Sequence, residues 1–153
     1  EINEITNPTF DPDVLTIEEV KEYKINQSKI NLEIYLALHP ITSNCHGEVF
    51  KQYAITKEKQ TLLTQMVLVT QTALTVGIEY QPSWNATGEP CTYDWTLDEL
   101  QKLAFEMEVA VRPLISYQQE IESQIKLAET KEDVLAISIE YGTTEGDSDE
   151  TAD

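Results

Sequence analysis

The chain has 153 residues, the length of a single domain that can bury a core without help from a disulfide or a metal ion. Ten Lys and Arg stand against 28 Asp and Glu, which gives a formal net charge of −18. Nucleic acids and anionic membranes are bound largely through Lys and Arg. No cluster of basic residues offsets the acidity, so we expect neither as a partner.

The first regular pattern predicts a long helix. Thr16 and Glu19 form a capping box, in which each side chain accepts the other residue's backbone N–H. The helix should end at Leu38, because His39 precedes Pro40 and the residue before a proline avoids helical dihedral angles. The positions predicted to face the core recur at gaps of three and four: Val20, Tyr23, Gln27, Ile30, Ile34 and Leu38.

A short β-hairpin and a second helix follow. The turn signal Asn44–Gly47 and the β-forming residues after it predict a hairpin within Ile41–Ile55. The second helix should begin near Lys57 and end at Gly77, a glycine suited to a left-handed C-terminal cap. Its predicted core stripe consists of Leu62, Met66, Val69, Ala73 and Val76.

An aromatic segment, Ile78–Trp95, precedes the longest helix. Its Trp, Tyr, Pro and Gly residues predict either a second hairpin or an ordered loop. Thr96 and Glu99 form another capping box, and Trp95 with Leu100 forms a hydrophobic staple. The core face predicted for the long helix consists of Leu100, Leu103, Met107, Ala110, Leu114, Tyr117, Ile121 and Ile125.

Pro113 lies in the middle of this long helix. It removes one backbone donor, so we expect a kink near Val109 rather than an end. A short fourth helix should begin at Thr130, whose side chain caps it together with Asp133, and end near Tyr141-Gly142.

These elements predict an α+β fold that is mostly helical, with about four helices and one or two small β-hairpins. Residues 1–15 contain two prolines and no periodicity, which predicts an extended arm. Residues 16–142 are predicted to form a single helical domain with hairpin insertions. Residues 143–153 are small and acidic, which predicts a disordered tail.

Groups that could support catalysis or metal binding are sparse. Cys45, His46, His39 and Cys91 could in principle bind zinc, but their spacing matches no finger or ribbon. Neighbouring residues of a strand point to opposite faces, so Cys45 and His46 should not form a nucleophile–base pair. We therefore predict no catalytic residue, no metal and no cofactor. Whether Cys45 and Cys91 form a disulfide stays open.

Two features favour protein binding. The polar side of the second helix carries no charge, which is unusual for a solvated helix face in so acidic a chain, so another chain or the long helix should cover it. The aromatic segment holds residue types that are enriched at binding hot spots, although they could instead pack into the core. The predicted interface consists of Thr61, Thr64, Gln65, Gln71, Thr72, Thr75, Trp84, Tyr93 and Trp95.

Short motifs follow one another in a fixed order between Ile25 and Gly142. They are Tyr53-Ala54-Ile55-Thr56 after the hairpin, Gln60, Leu62 and Leu63 early in the second helix, Gly88-Glu89-Pro90-Cys91 in the aromatic segment, and Thr130-Lys131-Glu132-Asp133 followed by Ile139-Glu140-Tyr141-Gly142 at the end. In this order they resemble a domain of unknown function found in tail-fibre and tail-associated proteins of bacteriophages and prophages. That family often has His and Tyr in the middle of its long helix, where this chain has Pro113. It has no established catalytic residues, so the resemblance implies a role in the virion or its assembly.

The sequence thus predicts a bacteriophage virion structural or adaptor protein, associated with the tail, that binds other proteins and is not an enzyme. It would be made in the host cytoplasm and built into the particle, in contact with other tail proteins or with a second copy of itself. The alternative is a non-structural phage protein, such as a tail-fibre assembly chaperone or an acidic inhibitor that covers a basic surface of a host factor.

Overall fold

The computed structural model describes residues 10–142. Its elements in chain order are α1 (Ile17–Leu38), β1 (Ile41–Ser43), β2 (Lys51–Tyr53), α2 (Lys57–Val76), α3 (Leu97–Leu127) and α4 (Lys131–Ala136). The α+β, mostly helical fold is confirmed. The predicted tail, 143–153, and the first nine residues of the predicted arm lie outside the described residues.

The helices begin where the capping residues predict. The Thr16 N–H donates to Glu19 Oε1 at 2.9 Å, and the Glu19 N–H donates to Thr16 Oγ1 at 3.1 Å. The same reciprocal pair joins Thr96 and Glu99 at 3.0 and 3.2 Å. Before α4, Thr130 Oγ1 accepts the Asp133 N–H at 3.0 Å. These bonds satisfy N–H groups that have no partner within the helix.

Helix α2 ends at Gly77, as predicted. Its φ of 77° lies in the left-handed region, and its N–H donates to the Ala73 carbonyl. A Cβ at this position would meet no heavy atom within 4 Å, so the backbone conformation alone favours glycine there.

We expect Gly77→Ala to lower the free energy of unfolding by about 1 kcal/mol, because alanine pays for the left-handed conformation and makes no new contact. Gly77→Asn should lose less, since asparagine tolerates that conformation better. Chemical denaturation followed by circular dichroism measures both. An equal loss in the two variants would contradict this explanation.

The described chain divides into two compact units, residues 10–31 with 117–142 and residues 32–116, and the boundaries fall inside α1 and α3. Each unit has its own core. The first has Val20, Ile121, Ile125 and Val134 buried together. The single domain predicted over 16–142 stays a prediction.

The first unit also buries a polar pair, Ser28 and Gln118. Gln118 Nε2 donates to Ser28 Oγ at 3.1 Å, and Ser28 Oγ donates to the Ile25 carbonyl at 2.6 Å. The Tyr141 hydroxyl donates to the Ser28 carbonyl at 2.6 Å. Burial, with Tyr117 nearby, raises the pKa of Tyr141 to about 12, so this donor keeps its proton at neutral pH.

The predicted core face of α1 is wrong beyond Val20. Four of its residues are exposed: Tyr23, Ile30, Ile34 and Leu38. The buried positions are instead Val20, Ser28 and Leu36. Ser28 tolerates burial because its side chain forms hydrogen bonds. Because serine is polar, a search for apolar periodicity does not detect it.

The segment before α1 turns and packs. Phe10 stacks on Tyr23 with ring centroids 3.8 Å apart, and Lys131 Nζ donates to the Pro12 carbonyl at 2.9 Å. Over residues 10–15 the chain is therefore not the extended arm that the sequence predicted.

Helix α4 ends at Ala136 and not near Tyr141-Gly142 as predicted. Ile137 is extended, with φ −70° and ψ 124°. After it, partly buried residues alternate with exposed ones, from Ile137 to Tyr141. This period of two is typical of extended chain, and Ile137 and Ile139 pack against the core of the first unit.

In the second unit, β1 and β2 form the predicted antiparallel hairpin, with Ile41 opposite Tyr53 and Ser43 opposite Lys51. The aromatic segment is the predicted ordered loop, tied by one bridge between Trp84 and Thr92. Residues from the hairpin, α2, this loop and α3 share one core: Cys45, Tyr53, Ile55, Leu63, Trp84, Ala86, Trp95, Leu100, Leu103, Met107 and Val111.

The predicted stripe of α2 is confirmed at Ala73, which is buried, and at Met66, which packs against the core. It is wrong at Leu62, Val69 and Val76, which are exposed. The other buried residues of the helix, Leu63 and Thr70, were not in the predicted stripe. Thr70 tolerates burial because its hydroxyl donates to the Met66 carbonyl at 2.7 Å.

The predicted face of α3 is confirmed where it is buried most deeply, at Leu100, Leu103, Met107, Ile121 and Ile125. The helix continues through Pro113, and the kink near Val109 stays a prediction.

Candidate protein-interaction surface

The second unit carries a helix face that is exposed and uncharged. No charged residue occurs from Gln60 to Ile78. Leu68, 60% exposed, is at its centre. The α2 face consists of the exposed residues Thr61, Thr64, Gln65, Leu68, Gln71, Thr72 and Thr75. All six predicted interface residues of α2 therefore share this face and are exposed, although Thr64 also lines a small groove with Ala104, Met107 and Glu108 of α3.

The threonines make this face more apolar than its sequence suggests. Thr61, Thr64 and Thr75 each donate the hydroxyl to the carbonyl four residues earlier, at 3.1, 2.9 and 3.1 Å. With the hydroxyl proton used inside the helix, the methyl group forms much of the remaining exposed side chain. Because the donors are already satisfied, covering these residues with another protein costs little polar desolvation.

Exposed aliphatic side chains extend the α2 face on both sides. Leu62, Val69 and Val76 lie on one side and are 41%, 45% and 58% exposed, and Leu74 lies on the other side and is 68% exposed. Beside Leu62 and Val69 lies an open groove of about 340 Å³, which Met66, Tyr80 and Trp84 also line. Large exposed apolar patches are typical of surfaces that contact another molecule.

Two of the three predicted aromatic interface residues belong to the core. Trp84 and Trp95 are only 6% and 3% exposed, so the interface prediction is wrong for them and the alternative of core packing is correct. Tyr93 is 67% exposed. Sequence reasoning missed Leu68, whose only signal was its position at the centre of an uncharged run.

The second unit holds a cluster of titratable groups around His46. The His46 Nδ1 lies 3.1 Å from Glu99 Oε1, and Nε2 lies 3.1 Å from Asp94 Oδ1. Both hydrogen bonds form only when both ring nitrogens carry a proton. The ring stacks on Trp95 with centroids 4.1 Å apart and planes 4° apart. These contacts connect the hairpin turn to the start of α3.

Glu99 is at the centre of this cluster. Oε1 accepts the Thr96 N–H at 3.0 Å as well as the His46 bond, and Oε2 accepts the Gly47 N–H at 3.2 Å. Partial burial acts to raise the pKa of the Glu99 carboxyl, but the two backbone N–H groups and His46 together lower it below the ordinary value of 4.5. The capping residue of α3 therefore also holds the turn that contains Gly47.

The two cysteines are both free thiols, Cys45 buried and Cys91 exposed. Burial raises the pKa of the Cys45 thiol, although Ser43 and Tyr53 act against this. Among residues 10–142, no three His, Cys, Asp or Glu side chains are placed to hold a metal ion. The disulfide that the sequence left open does not form here.

Comparison with protein-family models, with curated proteins and with solved structures gave no match. The resemblance to phage tail-associated proteins therefore stays a prediction. Within the described part of the chain, no helix has the length and apolar character needed to cross a membrane.

Proposed function

We propose that this chain is a structural or adaptor protein of a bacteriophage particle, associated with the tail, that works by binding proteins and has no catalytic role. The observation that carries the protein-binding part is the α2 face, an exposed surface without charge in a chain of net charge −18. A helix face that only meets water would normally carry charged residues. The phage part is supported by the ordered motifs of the sequence, from Tyr53 to Gly142.

The contact made by the α2 face is of the helix-docking kind, in which apolar side chains at helical spacing anchor one protein on another. Leu68 would be the central anchor, and Thr61, Thr64 and Thr75, whose hydroxyls already donate within the helix, would help to exclude water around it. The acidic surface elsewhere would keep the unassembled protein soluble.

The test compares purified particles by quantitative mass spectrometry. We expect the wild-type chain at a fixed copy number per particle, and far less of the double variant Thr64→Glu with Gln71→Glu, because a covered face would then bury unpaired charges at a cost of several kcal/mol. The matched control is Gln119→Glu with Ser123→Glu, which adds the same charge at exposed positions of α3 and should be incorporated normally.

Two results would contradict the proposal. If the wild-type chain is absent from purified particles, the virion role fails and the alternative of an assembly chaperone or an acidic inhibitor is favoured, since the acidity of the chain suits a protein that covers a basic surface. If the α2 variant is incorporated like the control, the α2 face is not the contact surface.

A further inference from the structure

The sequence of α2 around Leu68 reads nearly the same in both directions. The residues at equal distances before and after Leu68 are identical in the pairs Thr61/Thr75, Leu62/Leu74, Thr64/Thr72, Gln65/Gln71 and Val67/Val69. They differ in the pairs Leu63/Ala73 and Met66/Thr70. Leu63, Ala73 and Thr70 are buried in the core and Met66 packs against it. Within seven residues of Leu68, every pair of exposed residues is therefore identical, and both differing pairs include core residues, whereas Val67 packs against the core and Val69 is exposed. The next pair, Gln60 and Val76, differs.

This pattern gives the α2 face a local two-fold symmetry. At about 100° per residue, Thr61 and Thr75 lie about 20° to either side of the Leu68 direction, and Gln65 and Gln71 lie about 60° to either side. Rotating the face by half a turn about an axis through Leu68 brings each side chain onto one of the same type. An interface between two identical chains related by a two-fold axis needs a surface that is complementary to itself.

We infer that the partner of the α2 face is a second copy of this chain, paired through antiparallel α2 helices with the two-fold axis at Leu68. This inference rests on the proposed role of the α2 face as a protein contact. In the pair, Leu68 meets the same residue of the second copy, and Thr61, near the centre line of the face, meets Thr75 of the second copy. Gln65 shares a flank with Thr72 of the second copy, and Gln71 shares the other flank with Thr64, so each amide can donate to a threonine hydroxyl oxygen across the contact.

Charge also favours this arrangement. Two chains of net charge −18 repel each other, and a contact through the α2 face uses the stretch from Gln60 to Ile78, which carries no charged residue. The exposed Lys57 lies about 20° from the Leu68 direction at the start of the helix. In an antiparallel pair it approaches the C-terminal end of the other α2, which has no basic residue in its last turn and is followed by Glu79. A cation is favourable at the negative end of a helix.

Sedimentation velocity of the full chain over a range of concentrations tests the pairing. We expect the wild type to form a concentration-dependent dimer. Leu68→Glu and Leu68→Lys should each stay monomeric, because each places two like charges at the axis. An equimolar mixture of the two variants should recover a dimer. The control Gln119→Glu with Ser123→Glu should dimerise like the wild type. Each Leu68 variant should melt at the same temperature as the wild type measured at concentrations where the wild type is monomeric, because Leu68 is exposed.

Disulfide cross-linking tests the register, in a Cys91→Ser background that removes the exposed thiol. Leu68→Cys should cross-link to itself under oxidising conditions. Thr61→Cys and Thr75→Cys should each cross-link poorly alone and efficiently when the two variants are mixed. Cross-linking of Thr61→Cys to itself, with none between Thr61→Cys and Thr75→Cys, would contradict the antiparallel pair.

A wild type that stays monomeric at every concentration overturns this inference, and so does a dimer that Leu68→Glu leaves intact. Neither result contradicts the proposed function. That proposal fails only if the chain is absent from particles or if charge on the α2 face leaves incorporation unchanged. A monomeric chain whose α2 face is still needed for incorporation would mean that the face binds a different protein.

Discussion

Replacing Trp95 with alanine is expected to lower the free energy of unfolding by about 4 kcal/mol, because a buried aromatic residue loses both its transfer free energy and its packing. Trp95 is 3% exposed. It stacks on His46 and meets Tyr53 edge-on with ring centroids 6.0 Å apart, and its Nε1 donates to Thr92 Oγ1 at 3.0 Å. The side chain thus joins the aromatic loop, the hairpin and the start of α3.

Urea denaturation followed by circular dichroism measures this loss, with Tyr93→Ala as the control. Tyr93 lies two residues away and is 67% exposed, so its truncation should change the free energy of unfolding by less than about 0.5 kcal/mol. If Trp95→Ala does not fold, Trp95→Phe, which keeps an aromatic ring and loses the bond to Thr92, should show a smaller and measurable loss. Equal values for Trp95→Ala and Tyr93→Ala would contradict the assignment of Trp95 to the core.

The sequence predicted the element boundaries that depend on local chemistry. Thr16 with Glu19, Thr96 with Glu99, and Gly77 were identified because a cap involves residues at most a few positions apart. The end of α4 was misplaced because Ile137 and Ile139 leave the helix to pack against a core that is built from distant residues. No short sequence motif indicates that packing against this core will win over continuing the helix.

The buried faces of α1 and α2 could not be predicted from apolar periodicity alone. Ser28 and Thr70 are buried although they are polar, since the first bonds to Gln118, 90 residues away, and the second bonds to its own helix. Aliphatic residues on the other sides of these helices, such as Ile34 and Leu68, are exposed. Apolar periodicity therefore assigns part of the wrong face of each helix to the core. The correct face depends on contacts between residues that are distant in sequence.

The candidate surface was predicted in part. The six Thr and Gln residues of α2 were identified because the absence of charge is visible in the sequence and does not depend on the fold. Trp84 and Trp95 were misassigned because a large aromatic residue suits both a core and an interface, and the sequence does not say which. The His46 cluster was missed because Asp94 and Glu99 are 48 and 53 residues from it.

Replacing Glu99 with glutamine is expected to lower the free energy of unfolding by about 2 kcal/mol. Glutamine keeps one oxygen, which can still accept the Thr96 N–H. Its amide nitrogen would face the Gly47 N–H, which now bonds to Oε2 at 3.2 Å, so one backbone donor loses its acceptor. The acceptor that faces His46 also loses its negative charge, because the carboxylate becomes a neutral amide. The matched control is Glu19→Gln, because Glu19 makes the same capping bond to Thr16 at 2.9 Å, and it should cost less than about 1 kcal/mol.

The pH dependence of stability distinguishes the contribution of the Glu99 charge from the contribution of its side-chain shape. Because folding lowers the pKa of Glu99 below 4.5, the carboxylate stabilises the folded state fully above that pH, and this contribution is lost as the pH falls through the lower, folded-state pKa. The difference in free energy of unfolding between the wild type and Glu99→Gln should therefore shrink as the pH falls below about 4.5. Asp94, Glu106 and Glu122 also have lowered pKa values, and comparing the two chains at each pH largely cancels their contributions. A difference that stays constant down to pH 3 would mean that Glu99 acts through its shape alone.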